Sequence, residues 1–323
     1  MRTSISIIVI FCLIIYGFGI GSVCQAVVSH KSMKNFVTDP ENGLIYSDYL
    51  VRMDNITKII FLRYSQSNMV VIGKDGWLYV DADDSMADYR GLVPYSGSHL
   101  SYILNIVKSE RDYLRARGIP LLLVVAPNKE SVYPEYLPDS IKKLGTETRL
   151  DQIEAYFKSN SDIQILDLRQ VLIEAKNDKQ VYRKTDSHWN SYGAYLAYCE
   201  IMKAIGLKPH PLKDYDEMVD THTIGDLGQL LKMSDIYSEP VVHYRLKDGV
   251  ISDKLPCAVI FHDSFYMATD LKPLMAPHFE RIVDVRFGQL SLLSSQLIEQ
   301  EKPDVVIYIM VERVVGQYFI PWQ

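Results

Sequence analysis

Cys257-Ala258-Val259-Ile260-Phe261-His262-Asp263-Ser264-Phe265 is the stretch that decides how this chain reads. Cys257 to Phe261 is continuously apolar, as in a strand covered on both faces. The run then breaks into His262-Asp263-Ser264, which leaves a serine at the exit of a buried strand. A serine hydroxyl is a weak nucleophile until a base takes its proton. A strand-to-helix turn exposes that hydroxyl and aims helix N-terminal N–H groups, the Ser264 N–H first among them, at the group it attacks. The competing reading is structural: Asp263 or Ser264 caps the helix that follows.

The same pattern recurs on either side. Pro120 to Val125 is a second continuous apolar run, and Pro127-Asn128-Lys129 follows it as Ser264 follows the first. Ile163 to Leu166, Arg281 to Val285 and Val305 to Met310 read as further strands. Helical spacing covers Tyr102 to Arg117 (stopping at Gly118), Thr148 to Lys158, Leu168 to Ala175 and Ser191 to Ile205 (ending at Gly206). It returns at Met267 to Ala276, despite Pro273, and at Leu290 to Glu299. Strand and helix in alternation imply a parallel sheet with helices on both faces. Reactive groups in such sheets gather at the carboxyl ends of the strands. Ahead of this pattern, Val70 to Tyr79 reads as a β-hairpin around Asp75-Gly76, a favoured turn pair. Residues 207–254, which hold His210, His222 and His243, are less regular and suit a small β-rich insertion or lid.

A base for Ser264 is available in Asp186-Ser187-His188-Trp189-Asn190. A carboxylate two residues from an imidazole fixes its tautomer and stabilises the imidazolium that proton transfer creates. The alternative for Asp186 is a helix cap. The order Asp…His…Ser differs from the Ser…Asp…His of α/β-hydrolases, and no Gly-x-Ser-x-Gly elbow exists. Asp186, His188, His222, His262 and Asp263 also form a candidate divalent-metal set. No His-x-x-x-His or His-Glu-x-x-His motif supports it, so no metal is assigned.

Bulk properties narrow the setting. The 323 residues are 48% hydrophobic, a globular composition, and the net charge of −6 comes without a basic stripe, which argues against a nucleic-acid partner. The 22 tyrosines suit core packing or the lining of a carbohydrate groove. Arg2 precedes an uncharged run, Thr3 to Ser29, with an apolar centre at Ile5 to Ile20; residues 1–27 read as a signal peptide or uncleaved membrane anchor. Val23 stands where a lipoprotein signal at Cys24 needs a small residue. Residues 28–61 look like a tether, with turn signals at Asp39-Pro40 and Asn42-Gly43, and Asn55-Ile56-Thr57 is a glycosylation sequon. The bulk of the chain is therefore expected to be exported, to the periplasm or the outer face of the cytoplasmic membrane. Cys12 and Cys24 fall in the export segment. Cys199 and Cys257 either pair or stay as buried thiols.

Four segments together resemble the alginate O-acetyltransferase family, a branch of the SGNH-hydrolase-like proteins. They are Gly73-Lys74-Asp75-Gly76-Trp77-Leu78-Tyr79; Val125-Ala126-Pro127-Asn128-Lys129 with Tyr133-Pro134-Glu135-Tyr136-Leu137-Pro138; Thr185-Asp186-Ser187-His188-Trp189-Asn190 continuing to Gly193-Ala194; and His262-Asp263-Ser264-Phe265. The closing strand with Val311-Glu312-Arg313 fits too. The resemblance implies an α/β fold: a parallel-sheet SGNH-hydrolase-like sandwich with permuted strand order, spanning 62–323, with 207–254 inserted. It implies Ser264 as nucleophile, His188 as base and Asp186 as orienter, acting without a cofactor. It also implies a membrane-bound O-acyltransferase partner that delivers acetyl groups, and a glycan polymer that accepts them. Some members carry a further carbohydrate-binding module; none is expected after the last strand here, so the polymer stays unassigned. The same triad would serve a polysaccharide acetylesterase, and tyrosine richness with an anchor would serve a non-catalytic glycan-binding component of an export complex. Lys129 is a candidate substrate contact or a solvated loop lysine, and Arg286 and Arg313 either contact a glycan or carboxylate or pair on the surface. Trp189 and Tyr266 either stack on a sugar or pack beside the triad, and Asn190 either donates to an oxyanion or caps a helix.

Overall fold

The computed structural model describes residues 69–231, 233, 236–287, 294–317 and 319. The expected leader at 1–27, the tether at 28–61, the Asn55 sequon, Cys12 and Cys24 lie outside these residues.

In chain order, β1 (Val70–Ile72) and β2 (Leu78–Val80) form an antiparallel hairpin. Its turn holds Asp75 at φ 52° and Gly76 at φ 80°, the paired left-handed residues that an Asp-Gly turn supplies. Then come α1 (Ser85–Tyr89), α2 (Gly97–Arg115), β3 (Leu121–Ala126), α3 (Lys129–Val132), α4 (Arg149–Asn160), β4 (Ile165–Asp167), α5 (Arg169–Ala175) and α6 (Ser191–Ala204). Ser96 caps α2, Thr148 and Asp151 form a capping box on α4, and Asn190 caps α6. The strands β5 (Tyr215–Ile224) and β6 (Ser238–Leu246) pair antiparallel as a separate sheet, with α7 (Asp226–Leu230) between them. The chain continues through β7 (Leu255–His262), α8 (Ser264–Met267), α9 (Leu271–Met275), β8 (Phe279–Arg286), α10 (Ser294–Glu301) and β9 (Val305–Val311).

The central sheet has the order β4-β3-β9-β7-β8 and all its pairings are parallel. The last strand in sequence thus lies in the middle. Every residue of β9 is buried, as expected of a strand covered on both faces. Parallel pairing puts the carboxyl ends of β3, β9 and β7 side by side. Pro127-Asn128-Lys129, Glu312-Arg313 and Asp263-Ser264 therefore leave the sheet along one edge, where α/β sheets carry their ligands.

One expectation changes, and another is described only in part. The single helix expected over Met267 to Ala276 is two short ones, α8 and α9. Asp270, between them, gives its carboxylate to β6, accepting from Tyr244 N at 2.9 Å and facing His243 Nδ1 at 2.9 Å. Pro273 then falls in the first turn of α9, where its missing N–H costs little. The helix expected from Leu290 is described from Ser294 onward. Cys199 and Cys257 are both free thiols.

Glu110 on α2 is buried against β9, where Tyr308 donates its hydroxyl to Oε2 at 3.1 Å. Burial pushes its carboxyl up to about 8, against the lowering effect of that hydrogen bond. The unfolded chain releases this proton in the ordinary glutamate range, whereas the folded chain holds it until near pH 8. Stability therefore falls as pH rises through that window. Glu110→Gln, which cannot ionise, is expected to stabilise the protein by on the order of 2 kcal/mol near pH 8 and to change little near pH 4. Urea denaturation at the two pH values measures this, and an equal effect at both would exclude the linkage.

Candidate functional site

At the carboxyl edge of the sheet Ser264 opens α8, with Asp263 as its cap. Asp263 Oδ1 accepts the Phe265 N–H at 2.8 Å and Oδ2 accepts the Val311 N–H at 2.6 Å. Its own N–H donates to Ile309 O at 3.2 Å. One buried carboxylate thus caps the helix and ties the serine turn to the central strand. Burial pushes this carboxyl up, against the pull of those two N–H groups. The capping role belongs to Asp263, which leaves the Ser264 hydroxyl outside it. The Phe265 N–H is taken by the cap, while the Ser264 N–H has no acceptor among the described residues.

That hydroxyl lies 2.9 Å from His188 Nε2. On the other side of the ring, Nδ1 lies 2.8 Å from Asp186 Oδ1. Because a carboxylate only accepts, the proton sits on Nδ1 and Nε2 is free to accept from the serine. The second oxygen of Asp186 accepts from Arg183 Nη1 at 2.9 Å and from the Asp226 N–H at 3.1 Å. Burial pushes the Asp186 carboxyl up, but the hydrogen bond and charge of His188, with the Arg183 guanidinium, outweigh it and hold the group well below the usual carboxylate range. The three side chains form one continuous relay from carboxylate to hydroxyl. Such a relay can take a proton from Ser264 and return it to a leaving group.

The aromatic neighbours fix the ring. Phe265 packs 4.8 Å from the His188 ring and edge-on to Trp189 at 5.2 Å. Trp189 is buried and donates Nε1–H to Thr269 Oγ1 at 2.9 Å. Beneath, Leu78 N donates to Lys184 O at 2.8 Å. Tyr182 donates its hydroxyl to Pro127 O, and Tyr133 OH accepts the Val181 N–H at 3.0 Å. The hairpin, the segment after β3 and the loop carrying Asp186 and His188 are thereby joined under the site.

Other candidates are placed elsewhere. Lys129 is no surface substrate contact: it is 3% exposed and donates to the carbonyls of Leu78 at 2.7 Å and Lys184 at 3.3 Å. Burial pushes its ammonium down to about 8, opposed by the charges of Asp186, Asp226 and Glu239. Asn190 is a helix cap: Oδ1 accepts the Gly193 N–H at 2.9 Å and Nδ2 donates to Gln180 O at 2.6 Å. Tyr266 is fully buried against the His262 ring, so it cannot stack on a sugar in this conformation, and neither can Trp189. Arg286 is exposed at the end of β8, in register with His262. Arg313 lies over the Phe265 ring at 5.9 Å and points Nη1 at Asn128 Oδ1, 3.5 Å away.

The five-residue metal set does not assemble. His222 is exposed on β5, His262 Nδ1 bonds Asp263 O at 2.7 Å, and Asp263 is spent on the cap. Instead Asp186 and His188 are joined by Asp226, with ligand atoms of all three within 4.8 Å of one another. Asp226, Arg183 and Glu239 were not legible in sequence. Ile224-Gly225-Asp226 is an ordinary turn-like stretch about 40 positions from the loop it meets, and no local periodicity marks it.

Asp263→Ala removes a helix cap and orphans the buried Val311 N–H. It is expected to cost about 2–4 kcal/mol, read by urea denaturation, with Asp263→Asn costing less because one acceptor oxygen survives. An alanine variant as stable as the parent would contradict the role given to this carboxylate.

The family model described as "SGNH hydrolase-like domain, acetyltransferase AlgX" matches residues 70–245. That span holds Asp186 and His188 and ends before Ser264. Among curated proteins, the probable alginate O-acetylase AlgJ of Pseudomonas syringae pv. tomato is 31% identical over 207 residues, 60% of this chain and 51% of that protein. The AlgJ of Pseudomonas fluorescens is 30% identical over 175 residues, 52% of this chain and 42% of that protein. The chain thus spans about half the length, or less, of these relatives. Among solved structures, the O-acetyltransferase domain of Pseudomonas putida AlgJ aligns over 76% of this chain and 92% of its own, with TM-score 0.51 and 21% identity. Bacillus cereus PatB1 aligns over 76% and 97%, with TM-score 0.57 and 16% identity. At these identities the structural likeness shows the fold, an α/β architecture with a parallel central sheet. By the match over more than half its length, the chain belongs to the SGNH hydrolase-like family of the acetyltransferase AlgX.

Proposed function

We propose that this protein is an exported polysaccharide O-acetyltransferase that works through an acyl-enzyme on Ser264. The observation that carries the proposal is the unbroken relay from Asp186 through His188 to Ser264, at 2.8 and 2.9 Å. His188 Nε2 takes the hydroxyl proton as Ser264 Oγ attacks an acetyl carbonyl. The tetrahedral oxyanion collapses, the C–O bond to the donor breaks, and the proton passes from Nε2 to the departing oxygen. A glycan hydroxyl then attacks the acyl-enzyme. His188 takes its proton and returns it to Ser264 as the sugar ester is released. In this reading the Ser264 N–H, at the start of α8 and without an acceptor among the described residues, stabilises the oxyanion in both steps.

Family membership supports acetyl chemistry, and the names of the curated relatives point to a polysaccharide acceptor. The donor in this reading is a membrane-bound O-acyltransferase, since acetyl groups must be supplied outside the cytoplasm. Residues 1–27 would hold the catalytic domain beside that donor, as leader or anchor. Among the described residues no helix is long and apolar enough to cross a membrane.

A fluorophosphonate probe is expected to label Ser264, located by peptide sequencing, and Ser264→Ala is expected to abolish labelling. His188→Ala is expected to slow turnover of a small acetyl ester by about 10³-fold or more. Acetylated oligosaccharide formed only when oligosaccharide is present identifies a transferase. Turnover indifferent to the acceptor identifies an esterase, and polymer acetylation that persists in a Ser264→Ala strain overturns the catalytic reading altogether.

A further inference from the structure

The loop that carries Asp186 and His188 is shaped from outside, by the inserted segment that holds β5, α7 and β6. Gly225 lies so close to this loop that a Cβ there would sit 2.0 Å from Thr185 O, and the Gly228 N–H donates to the same oxygen at 3.2 Å. Glu239, on β6, accepts from Lys184 N at 3.1 Å, Thr185 N at 2.9 Å and Thr185 Oγ1 at 2.6 Å. Asp226, at the start of α7, accepts from Ser187 N at 2.7 Å and from Ser187 Oγ at 2.5 Å. Its own N–H donates to Asp186 Oδ2 at 3.1 Å. The insertion therefore holds each of Lys184 to Ser187 by a backbone or side-chain hydrogen bond.

Asp226 does more than grip the backbone. Its Oδ2 lies 3.7 Å from His188 Nδ1, the nitrogen that already faces Asp186 at 2.8 Å. Two carboxylates from different parts of the chain thus face one imidazole nitrogen. We propose that Asp226 is a positioning residue for the base, and that the insertion is a clamp setting both the orientation and the charge environment of His188. The proposal rests on the reading of His188 as the base for Ser264.

When Nε2 takes the serine proton, the new positive charge spreads over the ring to Nδ1. Asp186 supplies one compensating charge, itself shared with Arg183. Asp226 supplies a second. It also accepts the hydroxyl of Ser187, whose oxygen lies 3.3 Å from Nδ1. The other charges around the ring are Asp263, whose capped carboxylate is felt by His188; Arg313, over Phe265; and Lys129, buried beneath and felt by both Asp186 and Asp226. The Asp226 side chain is 42% exposed, so water and salt weaken its field. Its effect on the base is a tuning of charge added to a fixed geometry.

The test compares Asp226→Asn, which keeps size and one acceptor but loses the charge, with Asp226→Glu, which keeps the charge but misplaces it. Both are assayed with a small chromogenic acetyl ester and by the rate of fluorophosphonate labelling, across pH. Losing an anion beside the imidazolium makes that cation less stable, so the base is free at lower pH. The acidic limb of kcat/KM in Asp226→Asn is expected to move down by about half a unit. Its kcat and labelling rate should fall about tenfold, with KM within about twofold. In Asp226→Glu the limb should stay near its parent position while kcat falls. A role confined to folding would lower the active fraction and leave both limbs in place. A limb that stays put in Asp226→Asn, or that moves as far in Asp226→Glu, overturns the inference. Ser264→Ala runs alongside: if it still turns over ester, the catalytic reading fails. If it is inert and Asp226→Asn behaves like the parent, this inference alone fails.

Discussion

The hydrogen bond from Ser264 Oγ to His188 Nε2, at 2.9 Å, joins groups 76 positions apart, and most of the surrounding structure serves one end of it or the other. Such a bond is useful only if neither partner wanders, because proton transfer falls off steeply with distance and angle. At the serine end the constraint is the sheet. Asp263 binds the turn to β9 through Val311 N, so Ser264 inherits the rigidity of the most buried strand. At the histidine end there is no strand. The imidazole sits on a loop, and its rigidity is assembled from contacts with Leu78, Phe265, Asp226 and Glu239.

This division explains why several polar groups are buried beside the site without touching its open side. Lys129 is the clearest case. An ammonium held by the carbonyls of Leu78 and Lys184 ties the N-terminal hairpin to the loop of Asp186 and His188, and its charge is felt by Asp186 and Asp226. Removing a partner from such a buried group costs more than the bond itself contributes, since the remaining charge loses both water and its partner. The residue reads as a solvated substrate contact only while its surroundings are unknown.

Much of the fold was legible because its signals are local. Continuous apolar runs at Pro120 to Val125, Cys257 to Phe261 and Val305 to Met310 correspond to β3, β7 and β9, and Asp75-Gly76 makes the turn it suggests. The helix expected over Met267 to Ala276 was misread because Asp270 is claimed by β6, a partner that no local pattern reveals. Asn190 and Tyr266 were ambiguous for the same reason. Capping uses the residue types that oxyanion binding uses, packing those that sugar stacking uses, and only the neighbours distinguish them.

The amino-acid order by itself determined which segments are strands and helices, that the sheet is parallel, and that Asp186, His188 and Ser264 are chemically suited to one another. Periodicity, turn residues and side-chain chemistry are properties of a few adjacent positions. Tertiary structure alone decided that β9 enters the middle of the sheet, that Asp226 and Glu239 reach the loop of Asp186 and His188, and that Lys129 and Tyr266 face inward. Those outcomes depend on distances between residues far apart in the chain, which are fixed only when the core closes and each buried polar group must find its partner.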